Sequence, residues 1–173
     1  MVLQQGMNTE NQTARRYHWL SSGVKDFIEE PHSGIISGAK VKPLNLTDRK
    51  SKDNREISVS LVKEEPKKIL KDLGLIQTKK VKNLTEMNLA DKEFYWHPVV
   101  EEKFNLKRLE KTISLAHSES PEDFEKLVEM KGIGPKTIRA LSLVSEIIYG
   151  AKPSYEDPAR YSFSVGGKDG TPF

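Results

Sequence analysis

The chain has no cysteine. That excludes disulfide bridges and thiolate metal sites. It has no apolar run of the roughly 20 residues a membrane-spanning helix needs, and no signal-peptide pattern opens it. A cytoplasmic protein without a membrane partner is expected. Its four histidines, His18, His32, His97 and His117, stand at no recognisable metal-ligand spacing. Neither a metal nor a cofactor is indicated. Hydrophobic residues make up 36% of the 173 positions and charged residues 31%, so the core is lean. The net charge of +3 is mildly basic and by itself says little about partners.

The charge is unevenly placed. Between Ala39 and Asn83 there are 13 Lys and Arg against 6 Asp and Glu; between Leu84 and Met130 there are 6 against 11. A basic segment, an acidic one and a basic motif after them suggest a surface with one nucleic-acid-facing side. For the basic segment alone, an ordinary solvated lysine-rich surface explains the pattern equally well.

The most informative stretch is Leu127 to Leu141. Phe124, Leu127 and Val128 lie at helical spacing before Gly132-Ile133-Gly134, and Ile138, Leu141 and Val144 do so after it. The reading is helix, tight turn, helix. Gly132 suits a positive φ, and Gly134 allows another backbone to come close. Pro135 suits a first helical turn, where its missing N–H is no loss. Ile133 is expected to plug the gap between the helices. The start of the second helix exposes unpaired N–H groups and partial positive charge, an anion site for which phosphate is the natural ligand. Lys131, Lys136 and Arg139 add full charges, and Thr137 completes the stretch. A plain helical hairpin is the plainer alternative, but it needs neither the second glycine nor three cations. Over about twenty residues the stretch resembles the helix-hairpin-helix family of DNA-binding motifs. The resemblance implies contact with the DNA backbone through Lys131, Gly132, Ile133, Gly134, Lys136, Thr137 and Arg139. Thr137 departs mildly from the alanine more common there.

The rest reads as mainly α. Val2 and Leu3 suit a strand that must find a partner. A helix is expected from Asn8 or Thr9 to about Glu30, through Ala14, Tyr17, Leu20, Val24, Phe27 and Ile28. Within it, Tyr17 and Trp19 would not share a face, while Arg15, Arg16 and His18 are candidates for contacting nucleic acid. A further helix, capped by Thr47 or Asp48, carries Ile57, Val59, Leu61 and Val62, with a strand as rival because Ile57, Val59 and Leu61 alternate. Pro66 opens another, which Gly74 is expected to stop. Gln77–Asn83 is the best linker candidate, and Tyr95-Trp96-His97-Pro98 reads as a buried corner. Leu106, Leu109, Ile113 and either Leu115 or Ala116 give a helix of about three turns after Asn105. Ser120-Pro121 reads as cap and first position of the helix before the glycines. The last helix runs to about Tyr149 and ends at Gly150. After Lys152 the chain is turn-rich, and Gly166-Gly167-Lys168-Asp169-Gly170 looks like a backbone nest. The expected division is a mostly helical part over 1–83 and a second helical part over 84–173, holding the hairpin at 124–149.

A wider resemblance rests on Gln4-Gln5-Gly6-Met7-Asn8, Ala14 to Leu20, Pro31-His32-Ser33-Gly34-Ile35, the hairpin, Asp157 to Phe163 and Gly166 to Gly170. These look like an uncharacterised prokaryotic, mainly archaeal family known as domain of unknown function 763. The match is loose from about Ile36 to Asn105. It implies a C-terminal part of a larger protein, with an N-terminal region outside this chain, and it implies no activity.

Three functions follow as expectations. The first is a DNA-binding protein, with RNA an open variant. It would grip the phosphate backbone without sequence specificity, in repair or genome maintenance. The second is an enzyme similar to the helix-hairpin-helix DNA glycosylases and abasic-site lyases. The resemblance would make Lys136 the nucleophile and Asp157 the assisting carboxylate. Residues after Asp157 depart from that pattern, which puts the second reading behind the first. The third is a nuclease whose carboxylates lie mostly in the absent N-terminal region. Whether the chain is catalytic, and its oligomeric state, stay open on the sequence.

Overall fold

A computed structural model describes residues 2–8, 13–20, 22–37, 42–77 and 103–159. The chain falls into two compact units, one made of Met1–Pro43 with Tyr155–Phe173, the other of Leu44–Ser154. The fold is mainly α, as the sequence implies, with one small sheet.

The first unit holds that sheet. β1 (Val2–Asn8) pairs antiparallel with β2 (Thr13–Trp19), Val2 facing Trp19 and Asn8 facing Thr13. β3 (Gly34–Ser37) pairs antiparallel with the other edge of β2, Arg15 facing Ser37 and His18 facing Gly34. The helix expected from residue 8 or 9 to 30 is therefore corrected to a hairpin. Successive strand residues point to opposite faces, so Arg15, Tyr17 and Trp19 share one face and Arg16 and His18 the other. Tyr17 and Trp19 do share a face after all, and both meet His32, with ring centres 5.2 and 4.6 Å away. Ile35 and Ser37, the β3 residues level with Tyr17 and Arg15, are buried.

The second unit is helical. It contains α1 (Lys52–Lys63), α2 (Pro66–Gln77), α3 (Leu106–Glu119), α4 (Phe124–Glu129) and α5 (Pro135–Tyr149). Val59, Leu61 and Val62 of α1 are buried at helical spacing, which settles the rivalry with a strand. They join Ile69, Leu73, Leu109, Ile113, Leu127, Leu141 and Val144 in one core. Residues on both sides of Asn83 share that core, so packing does not divide the chain at 83/84. Gly74 does not stop α2, which continues to Gln77. Helix packing outweighs the modest cost of one internal glycine here.

Caps explain several helix boundaries. Asp48 accepts from Lys50 N at 2.9 Å and starts a short 3-10 turn, Arg49–Ser51, that leads into α1. Asn105 accepts from Arg108 N at 3.1 Å at the head of α3. Ser120 closes α3 in the left-handed region, φ 46°, instead of capping the next helix. That role falls to Asp123, which accepts from Lys126 N at 2.8 Å. The segment after α5 is pinned by buried polar groups. Asn54 Nδ2 donates to Ser142 O and Ala151 O at 3.1 and 2.7 Å. Ser154 N donates to Ser51 Oγ at 2.8 Å, and Ser154 Oγ to Asp48 Oδ2 at 2.6 Å. Burial pushes the Asp48 carboxyl upward, but the hydrogen bonds from Ser154 and the Lys50 amide, with nearby Lys50 and Arg55, leave it below its ordinary value. The expected linker beyond Gln77, the aromatic corner at Tyr95–Pro98 and the glycine nest at Gly166–Gly170 lie outside the described residues.

Candidate nucleic-acid interface

The connection between α4 and α5 is built as its sequence requires. Met130 leaves the helix with extended backbone. A turn closes through Ile133 N donating to Met130 O at 3.1 Å. Gly132 takes φ +99°, where an L side chain is strained, and a Cβ there would lie 3.4 Å from Leu115 Cδ2. Ile133 packs against the core together with Phe124, Met130 and Ile138, which is the plug the sequence implied. Gly134 is the N-cap of α5, without a side-chain cap, and Pro135 occupies the first position. Thr137 N and Ile138 N both donate to Gly134 O, at 3.0 and 3.2 Å.

The two glycines differ in what the chain asks of them. Gly132 is demanded from within by its φ and by Leu115. Gly134 has φ −113° and ψ 174°, a conformation open to any residue. A Cβ at 134 would meet no heavy atom within 4 Å. Neither backbone strain nor internal packing calls for glycine at 134.

Around this turn, Lys131 and Lys136 are exposed and Arg139 is half-buried. Acidic residues are absent from the first turn of α5, so nothing on that turn neutralises its dipole. Thr137 is 3% exposed. Its hydroxyl lies 3.1 Å from that of Thr112, so it braces α5 against α3 rather than facing outward. Sequence reasoning missed this contribution of α3. Asn105 and the helical spacing reveal that α3 exists, but its place beside the turn arises from tertiary packing and leaves no local signal.

The other candidates sit in the sheet unit. Arg15 does not offer its guanidinium outward. Its Nη1 and Nη2 donate to Asp157 Oδ1 and Oδ2 at 2.9 and 2.6 Å. Asp157 Oδ1 also accepts from Ala159 N at 3.0 Å. The hydrogen bond that Arg15 donates to Asp157 raises the Arg15 pKa, against the opposing effect of burial. Arg16 is exposed on the opposite face of β2. His18 is half-buried beside it on that face; its backbone oxygen accepts from both Ser33 N and Ser33 Oγ, at 2.8 and 2.9 Å. Burial lowers the pKa of His32, disfavouring its charged form. Lys136 belongs to the helical unit and Asp157 to the sheet unit, where Arg15 occupies both its oxygens.

Among the described residues, no group of three His, Asp or Glu side chains is placed to hold a metal ion. No described helix is long and apolar enough to cross a membrane. No curated protein and no solved structure matches the chain. The family model described as "Protein of unknown function (DUF763)" matches residues 1–173, and the chain belongs to that family.

Proposed function

We propose that the protein binds DNA through its phosphate backbone, without reading sequence. The α4–α5 connection would act as a helix-hairpin-helix in cytoplasmic DNA repair or genome maintenance. The observation that carries this reading is Gly134. It caps α5 with an unstrained backbone and open space where a Cβ would be. Glycine is an acceptable N-cap, but serine, aspartate or asparagine would cap α5 better. Glycine here therefore suits an outside group that must approach the main chain closely. A phosphate oxygen is such a group, and the adjoining helix start favours negative charge. Lys131 and Lys136 stand exposed on either side of the glycine to add long-range attraction. Main-chain amides and exposed lysines meet phosphate rather than base edges, so backbone contact is the part of recognition this site serves.

Salt titration tests the reading. A site neutralising about 3–5 phosphates gives log affinity falling against log salt with a slope near −0.9 for each. Unrelated duplexes should bind alike. Affinity independent of salt, or strong preference among unrelated duplexes, contradicts the proposal.

A further inference from the structure

We infer that the nucleic-acid surface extends from the turn onto the first half of α3, where Arg108 and Lys111 hold further phosphates of the same duplex. This rests on the proposed function and enlarges its footprint.

Two contacts place α3 against the connection. The Thr112 and Thr137 hydroxyls are 3.1 Å apart. Leu115 Cδ2 lies 3.4 Å from where a Cβ on Gly132 would be. The inward stripe of α3 is Leu109, Ile113 and Ala116. Thr112 and Leu115 flank that stripe on one side. Arg108 precedes Thr112 by four positions, so it lies one turn away on that same flank. Lys111 is next to Thr112, further round toward solvent. Both are exposed, and neither forms an ion pair among the described residues.

The charge pattern of α3 points the same way. Its first turn holds Lys107 and Arg108 and no acid. Lys103 precedes it and Lys111 follows, all exposed, against Glu110 alone. Cations at a helix start oppose the macrodipole and disfavour the helix. The core stripe gains nothing from them. They gain a role if an anion faces that end of α3, and the neighbouring turn already presents an anion site. A backbone passing over Gly134 would then continue past Arg108 and Lys111.

The test uses the full chain and a short labelled DNA duplex of arbitrary sequence, titrated with salt. Three variants are compared with the unaltered protein: Arg108→Gln with Lys111→Gln, Lys131→Gln with Lys136→Gln, and Lys63→Gln as a cation elsewhere on the surface. The α3 double variant should lose several-fold in affinity, and its salt slope should become shallower by about 1 to 2, or 0.9 per lost phosphate. It should melt no lower than the unaltered protein, since glutamine is a good helix former and the dipole-opposing charge of Arg108 is gone. Lys63→Gln should do little. If the turn variant weakens binding while the α3 variant matches Lys63→Gln, the extension is wrong and the turn site stands. If the unaltered chain shows no salt-dependent binding, both fall.

Discussion

Arg15 and Asp157, 142 positions apart in sequence, meet through two parallel hydrogen bonds of 2.9 and 2.6 Å. The pair ties the segment after the helical unit to the central strand of the sheet. The Asp157 side chain is 5% exposed and that of Arg15 20%. Removing one partner leaves a buried charge uncompensated.

Arg15→Ala should therefore destabilise the sheet unit by about 3–5 kcal/mol, whereas replacing both residues with apolar ones of similar volume should recover most of the loss. Amide hydrogen exchange in β2 reads the effect. Under conditions where the variant stays folded, DNA affinity should hold, because the guanidinium is engaged internally. Unchanged exchange in Arg15→Ala would show that the pair contributes nothing to order.

The sheet was the part least legible in the sequence. Ala14, Tyr17, Leu20 and Val24 imitate helical spacing, while the alternation of Arg15, Tyr17 and Trp19 is the strand signal. The two patterns overlap between Arg15 and Trp19, and only the pairing of β2 with β1 and β3 decides between them. That pairing is tertiary. The helical unit was more legible because its signals are local: Asn105 as a cap, Pro66 and Pro135 at first positions, Gly150 as a stop. The turn at Gly132 was legible for the same reason. Thr112 against Thr137 and Arg15 against Asp157 were not, since nothing nearby in sequence marks either partner.

His32 gives the sheet unit a pH dependence of definite sign. Burial lowers its pKa from the ordinary 6.5, so the unfolded chain binds the proton more readily. The stability His32 contributes is fully present above the unfolded value and is lost as pH falls through the folded one. Melting temperature should fall between neutral pH and the region below 6.5. His32→Phe keeps an aromatic partner for Tyr17 and Trp19 and should flatten that part of the curve. An equally steep fall in the variant would assign the effect to other groups.

Lys136 separates a binding site from a catalytic one. A lysine that only meets phosphate can be replaced by arginine, which keeps the charge. A nucleophilic lysine cannot, because arginine stays protonated. Borohydride trapping on abasic DNA captures a lysine imine covalently. No Lys136-dependent adduct is expected, since both oxygens of Asp157, the carboxylate that chemistry would draw on, are held by Arg15. Binding by Lys136→Arg should stay close to that of the unaltered chain. An adduct that disappears in Lys136→Arg, together with abasic-site cleavage, would make the protein a lyase.

The two glycines of the turn should respond oppositely to the same change. Gly132 sits at φ +99° with Leu115 3.4 Å from a Cβ position, so Gly132→Ala should cost about 1–2 kcal/mol or more of stability. Its effect on DNA should follow from that loss of order. Gly134→Ala meets no atom within 4 Å and keeps an allowed backbone. The loss of an N-cap glycine is offset in part by the reduced freedom of the unfolded chain, so its stability should fall by less than about 1 kcal/mol. Its DNA affinity should nevertheless drop, and Gly134→Val should lower it further, because the added carbons occupy the space a phosphate needs. Paired urea denaturation and salt-titrated binding on the same preparations read both quantities. Loss of binding at 134 beyond that small loss of stability identifies a surface kept clear for a ligand. Normal binding by a stable Gly134→Val would mean that the turn serves the fold alone.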